Sequence, residues 1–228
     1  MKEFFVLKKQ YLIRCGIKFS DMFIIDFDDT LFNTHDFKKV RLESLIKIGV
    51  TESDYQETYV EALKKNDSFN YSNEWHAELL GLRGYSVEKV LSSLEQTTGD
   101  QLQEFLFPDT VEFLEKIKDI GQSLVLLSLG EVRFQELKVK GAGISEYFDR
   151  MFMVQDSKEH VMQKLIDVGE NSFQDGMWFI NDKVEETLLI KNRFPQLNIV
   201  LKKSASIDEK DYQQSNVPYF KTLTEIYD

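Results

Sequence analysis

A single cysteine, Cys15, leaves no route to an intramolecular disulfide or to a cysteine-based zinc cluster. That scarcity fits a reducing compartment. The chain also lacks any window of roughly 20 consecutive apolar residues, the length a membrane-spanning helix needs. Its apolar N-terminal stretch, "MKEFFVLKKQYLIRCG", is interrupted by Lys8 and Lys9 before it reaches the length of a signal-peptide core. These features predict a folded N-terminus and a cytoplasmic protein that does not enter membranes. Positive charge is in deficit, with 28 Lys and Arg against 39 Asp and Glu and a formal net charge of −11. Such a balance argues against a general binder of nucleic acid or acidic membrane, so an anionic ligand must meet a local positive feature. Internal repeats and low-complexity tracts are absent. The three histidines, His35, His76 and His160, are scattered without the spacing of metal ligands.

What is there is a chain of 228 residues, long enough for one substantial domain with an insertion. Five short apolar runs read as strands of a parallel sheet covered on both faces: "MFIID", "SLVLLS", "RMFMV", "MWFIND" and "NIVL". Helical patterns separate the later runs. One carries Val111, Leu114 and Ile117 and closes at Gly121; one carries Phe134 and Leu137 and closes at Gly141; one carries Val161, Leu165 and Val168 and closes at Gly169. This alternation predicts a doubly wound α/β domain with helices on both faces. The interval from about Thr34 to Phe105 has no buried strand. It holds helix candidates marked by Phe37, Val40 and Leu45, by Tyr55, Tyr59 and Leu63, by Trp75 and Leu79, and by Val87, Val90, Leu91 and Leu94. The expected division is a core of 1–33 and 106–228 with a helical insertion at 34–105. "FPDT", Phe107 to Thr110, marks the return to the core.

Ligands of open α/β sheets collect beyond the carboxyl ends of the strands. The first run ends in "DFDDT". Two-residue spacing in an extended segment puts the side chains of Asp26 and Asp28 on one side and Asp29 on the other. Like charges this close disfavour each other's ionisation, so a metal ion, a lysine or solvent must compensate them. The second run ends at Ser128 and the fourth at Asp182. Lys158 lies between them, and Asp156 and Glu159 at capping-box spacing predict a helix with Lys158 in its first turn. Lys164 and Arg150 compete for the same role.

In this order the motifs resemble those of the haloacid dehalogenase superfamily: "DFDDT", "LVLLS" ending at Ser128, Lys158, and "INDKVEE" with Asp182 and Glu186. The insertion falls directly after the first motif, where that family places its helical C1-type cap. The resemblance implies a Rossmann-like core and a Mg²⁺-dependent phosphohydrolase acting on a small phosphorylated metabolite. By the same resemblance Asp26 would be the nucleophile that forms an aspartyl-phosphate, and Asp28 the general acid and then base. Ser128 and Lys158 would bind phosphate; Asp26, Asp182 and a main-chain oxygen of Asp28 would hold Mg²⁺. The second aspartate of the first motif, which the family's dehalogenases generally lack, favours phosphoryl transfer.

Departures from the pattern are Asn181 for the usual glycine or aspartate and Glu186 for the usual aspartate, with Glu185 as a neighbouring alternative. Thr30, Asn181 and Glu186 are expected to support the site, and Tyr71, Trp75, His76 and Arg83 are the insertion residues to test first for specificity. A phosphomutase, a non-catalytic protein of the same fold and, from another class, a phospho-accepting receiver are the competing functions. The receiver's usual size, about half this chain, counts against it.

Overall fold

The computed structural model describes residues 21–63, 71–99, 101–169 and 176–226. The N-terminal 20 residues, Cys15 among them, lie outside the described residues. Six strands form one parallel sheet: β1 (Met22–Ile25), β2 (Ser123–Leu129), β3 (Arg150–Val154), β4 (Met177–Asn181), β5 (Asn198–Lys202) and β6 (Tyr219–Phe220). Their order is β3-β2-β1-β4-β5-β6, so the direction of winding reverses between β1 and β4. The sixth strand, two residues long and just after Pro218, is too short to leave an apolar run in the sequence. "RMFMV" forms the edge strand β3 and is half-exposed, with Met151 open to solvent.

Alternation along the strands sorts their side chains onto two faces. Phe23, Ile25, Leu124, Leu126, Ile180 and Val200 face helices α5 (Thr110–Asp119) and α6 (Val132–Gly141). Met22, Ile24, Val125, Leu127, Phe179, Ile199 and Leu201 face α7 (Glu159–Gly169), α8 (Val184–Arg193) and α9 (Glu209–Gln214). Both faces are therefore covered, which is why the strands read as continuous apolar runs. This is the Rossmann-like arrangement expected.

Four helices stand between β1 and the return to the sheet: α1 (Thr34–Ile46), α2 (Glu52–Leu63), α3 (Asn73–Leu82) and α4 (Val87–Gln96). They share a small core of their own, with Leu45, Val50, Tyr55, Ala77, Leu80, Val90 and Leu94 buried together. The inward stripe of α1 is Phe37, Arg41 and Leu45, whereas Val40 is exposed. A guanidinium takes the place expected for an apolar side chain because its ends are satisfied internally. Arg41 donates to Thr98 Oγ1 (2.5 Å), Tyr71 OH (2.5 Å), Asn73 Oδ1 (2.7 Å) and the Leu94 carbonyl (3.2 Å). Departing and returning chains run side by side: Asn33 N–H donates to the Phe105 carbonyl at 2.7 Å and Phe107 N–H to that of Leu31 at 3.0 Å. At the return, Asp109 does not cap α5; its Oδ2 accepts from the backbone N–H groups of Leu223 and Thr224.

Candidate active site

The carboxyl ends of β1, β2 and β4 and the segment after β3 bring Asp26, Ser128, Asp182 and Lys158 into one buried cluster. Asp26 continues the β1 ladder, its N–H donating to the Ile180 carbonyl at 2.9 Å, and is 4% exposed. Lys158 Nζ donates to Asp26 Oδ1 at 2.6 Å, to Glu186 Oε2 at 2.8 Å and to Asn181 Oδ1 at 3.2 Å. Arg150 and Lys164, the competing cations, are exposed. The lysine precedes α7 by one residue instead of sitting in its first turn. Ser157 Oγ accepts from the Glu159 N–H, while Asp156 turns back to the Ser157 N–H.

Asn181 and Glu186 brace this lysine. Asn181 Nδ2 donates to Glu186 Oε2 (2.9 Å) and Thr187 Oγ1 (3.0 Å), which leaves its Oδ1 facing Lys158. Thr30 Oγ1 donates to the second oxygen of Asp26 at 3.4 Å. Burial raises the pKa of Asp26 against the opposing charge of Lys158. Asp182 is pushed up to about 8 by burial and then by the charge of Asp26. Lys158 is raised too, because Asp26 and Glu186 outweigh its burial. Burial is thus the first cause for the two aspartates, and the charges of neighbouring carboxylates add to it. Two buried atoms here, Asp182 Oδ1 and Ser128 Oγ, have no hydrogen-bond partner in the protein.

Asp28 sits two residues away in a different setting. Its Oδ1 accepts from Lys138 Nζ at 2.5 Å and Thr34 Oγ1 at 2.6 Å, and its Oδ2 accepts from Gln135 Nε2 at 2.8 Å. Burial alone would raise its pKa, but the charge of Lys138 and these three donors hold it at about 2. Lys138 is 3% exposed, with Nζ 5.3 Å from the ring centroid of Phe27, 5.5 Å from Phe32, 6.0 Å from Phe37 and 5.4 Å from Phe134. Gly130 lies against Gln135, and a Cβ there would collide with its amide. The turn between the two halves places Asp29 at φ 57°, with its side chain accepting from the Thr34 N–H.

A family model for haloacid dehalogenase-like hydrolases matches residues 21–169. The chain belongs to this family. Among curated proteins none matches it. Solved structures share the haloacid dehalogenase-like fold at low identity. A structure titled as a haloacid dehalogenase-like hydrolase of Burkholderia xenovorans LB400 is 17% identical, with 92% of this chain and 98% of that one covered and a TM-score of 0.72. The HAD-hydrolase YfnB of Bacillus subtilis is 14% identical over 92% and 98%, at a TM-score of 0.59. The L-2-haloacid dehalogenase of Xanthobacter autotrophicus is 16% identical over 86% and 81%, at 0.53. This hydrolase therefore carries the family's fold, and the family spans more than one chemistry.

The insertion residues singled out from sequence divide into three settings. Tyr71 and His76 are buried in the Arg41 network, with Tyr71 OH 2.8 Å from His76 Nδ1 and His76 Nε2 3.0 Å from Thr58 Oγ1. Burial, then the charge of Arg41, depresses His76 to about 3, so it is neutral. Trp75 packs with Tyr71 and Leu79 near Phe134. Arg83 spends its charge within the insertion, on Asp54, Glu57 and Glu61 of α2. Sequence reasoning missed Lys138, Gln135, Thr34 and Arg41. A signal was present: Gln135 and Lys138 lie on the face of α6 that Phe134 marks as inward.

Among the described residues no helix is long and apolar enough to cross a membrane. Nor do the described residues contain a group of three or more His, Cys, Asp or Glu side chains placed to hold a metal ion. A cavity of about 730 Å³ opens beside Lys158 and Glu186; since Asp26, Ser128 and Asp182 do not line it, it lies to one side of the cluster.

Proposed function

We propose that this hydrolase is a Mg²⁺-dependent phosphatase of small phosphorylated metabolites, with the four-helix insertion acting as a cap over Asp26. The observation that carries this reading is a pair of unsatisfied buried atoms at the carboxyl ends of β2 and β4, the strands that flank β1. Asp182 Oδ1 is an acceptor calling for a cation, and Ser128 Oγ is a free donor calling for an anion. The donor set fits a hard divalent ion: two carboxylates, Asp26 and Asp182, with the main-chain oxygen of Asp28, in a cluster with excess negative charge. Mg²⁺ bound there would neutralise phosphoryl oxygens and orient the phosphate.

The chain's own groups perform the chemistry. Asp26 attacks phosphorus through a carboxylate oxygen; the bond from phosphorus to the leaving oxygen breaks, and that oxygen takes a proton from Asp28. Water then attacks the aspartyl-phosphate, Asp28 accepts its proton, and the bond from phosphorus to Asp26 breaks to release phosphate. Lys158, braced by Glu186 and Asn181, balances the arriving charge, and Ser128 donates to a phosphoryl oxygen. Asp28 is ionised at rest, so its base role is ready-made. Its acid role requires a proton that arrives with the substrate: a monoanionic phosphate ester carries one on a phosphoryl oxygen and would pass it to Asp28 before the leaving oxygen takes it. In the cap, Tyr71, Trp75 and His76 would shape the ground on which specificity is set, and Arg83 would serve the cap's outer surface.

Hydrolysis of p-nitrophenyl phosphate and of a panel of phosphorylated metabolites, with Mg²⁺ and with EDTA, tests this reading. Turnover only with metal is expected, with Asp26→Asn lowering kcat by more than about 10³-fold while the protein stays folded. Inertness of folded, Mg²⁺-bound wild type across the panel would overturn it in favour of a binding or regulatory role. Product carrying the phosphoryl group on a second position of the substrate would identify a mutase.

A further inference from the structure

Lys138 is unusual among the buried cations of the site because nothing in the chemistry above uses it. It is almost completely enclosed, and its one hydrogen bond goes to Asp28 Oδ1. The remainder of the ammonium faces four phenylalanine rings, which attract a cation without fixing a second hydrogen-bonded partner. One turn earlier on the same helix, Gln135 Nε2 grips the other oxygen of Asp28 and is itself held by the Leu129 carbonyl at 3.1 Å. The terminal torsion of an aspartate is ordinarily broad and nearly two-fold. Two donors from one helix, each on a different oxygen, restrict it to one orientation.

We propose that Lys138 is a positioning residue for the reaction: with Gln135 it fixes which oxygen of Asp28 meets the leaving group. The proposal rests on the reading of Asp28 as the acid–base group. A buried ion pair that only stabilises the fold would have the same geometry but would not discriminate between leaving groups.

Leaving groups do so. Departure of 2,4-dinitrophenolate needs no proton, whereas departure of an alkoxide depends on the acid. Lys138→Met is expected to lower kcat for glycerol 2-phosphate by about 10²-fold, the scale of a lost general acid. For 2,4-dinitrophenyl phosphate the pre-steady-state burst of dinitrophenolate, which reports the first step alone, falls within about fivefold, while its steady-state turnover shares the loss because Asp28 is also the base of the second step. Gln135→Leu gives the same pattern at smaller amplitude. First-step losses equal for the two esters, or no loss on either, would overturn the proposal.

A second measurement does not depend on turnover. With ¹⁵N-labelled lysine, the enclosed ammonium of Lys138 should give a slowly exchanging Nζ signal, assigned by its absence in Lys138→Met. The signal is expected to shift or vanish in folded Asp28→Ala. A signal indifferent to Asp28 would overturn the grip even if the wild type hydrolysed no ester, an outcome that would separately defeat the phosphatase reading.

Discussion

Two buried aspartate–lysine pairs, Asp26–Lys158 and Asp28–Lys138, begin two residues apart and end in opposite electrostatic conditions. The first lies among Glu186, Asp182 and the Asn181 amide, where three carboxylates share the charges of Lys158 and Lys183 and burial raises both aspartates. The second lies among phenylalanine rings, with one carboxylate facing one ammonium, and Asp28 is held at about 2. An ion pair's behaviour is thus decided by what surrounds it: the same two residue types make one half in which carboxylates outnumber the paired ammonium and one in which they match it.

Removing the two lysines separately is the strongest way to break this contrast. In EDTA, Lys158→Met leaves the buried carboxylate of Asp26 unpaired beside Asp182 and the half-buried Glu186, and is expected to cost about 3–5 kcal/mol in urea unfolding. Lys138→Met should cost less, because the side chain of Asp28 is 24% exposed and keeps Thr34 and Gln135. Mg²⁺ should restore part of the stability lost in Lys158→Met and none of that lost in Lys138→Met. Equal costs and equal rescue would erase the distinction.

A pH series sharpens it. The raised pKa of Asp182 means that the folded protein holds its proton more tightly than the unfolded chain. The metal-free protein should therefore lose stability as pH rises from about 4, the unfolded value, toward about 8. Asp28 acts with the opposite sign: its contribution is present above about 4 and is lost as pH falls toward about 2. Thermal melts in EDTA should show the decline at higher pH in wild type and a flatter profile in Asp182→Asn. A wild-type profile flat over that range would contradict the excess charge assigned to this half.

The smallest effect is expected outside both halves. Arg83→Ala removes surface pairs screened by solvent, so kcat, KM and Tm should stay within experimental scatter. A clear change in KM would move Arg83 into the substrate path.

The first pair was legible in the sequence and the second was not, for a physical reason. Asp26, Ser128 and Asp182 end apolar runs, and strand ends in a parallel sheet converge on one edge, so linear position carries spatial information. Lys138 sits in "ELKVKG", a stretch with the composition of a solvated helix face. The local period sets it on the same face as Phe134, but its burial depends on Phe27, Phe32 and Phe37, about a hundred residues upstream, which that period does not encode. Arg41 misled for a related reason: its inward position depends on hydroxyl and carbonyl groups of α3, α4 and the segments beside them, and the nearby Val40 offered a simpler apolar stripe. Strand β6 was too brief to leave a pattern. The four helices of the insertion were readable as helices, because their periods persist through ten or more residues each.

Gly130 places a hidden dependency in this site. It touches no reacting group, yet the space of one methyl at its α-carbon is occupied by the amide that steers Asp28. An alanine there would act as a remote edit of Asp28, the proposed acid–base residue, invisible to any survey confined to the four motifs. For anyone redesigning this enzyme, the loop after β2 is thus a tuning screw: substitutions at a position that looks like connective backbone would be read out as altered preference among leaving groups.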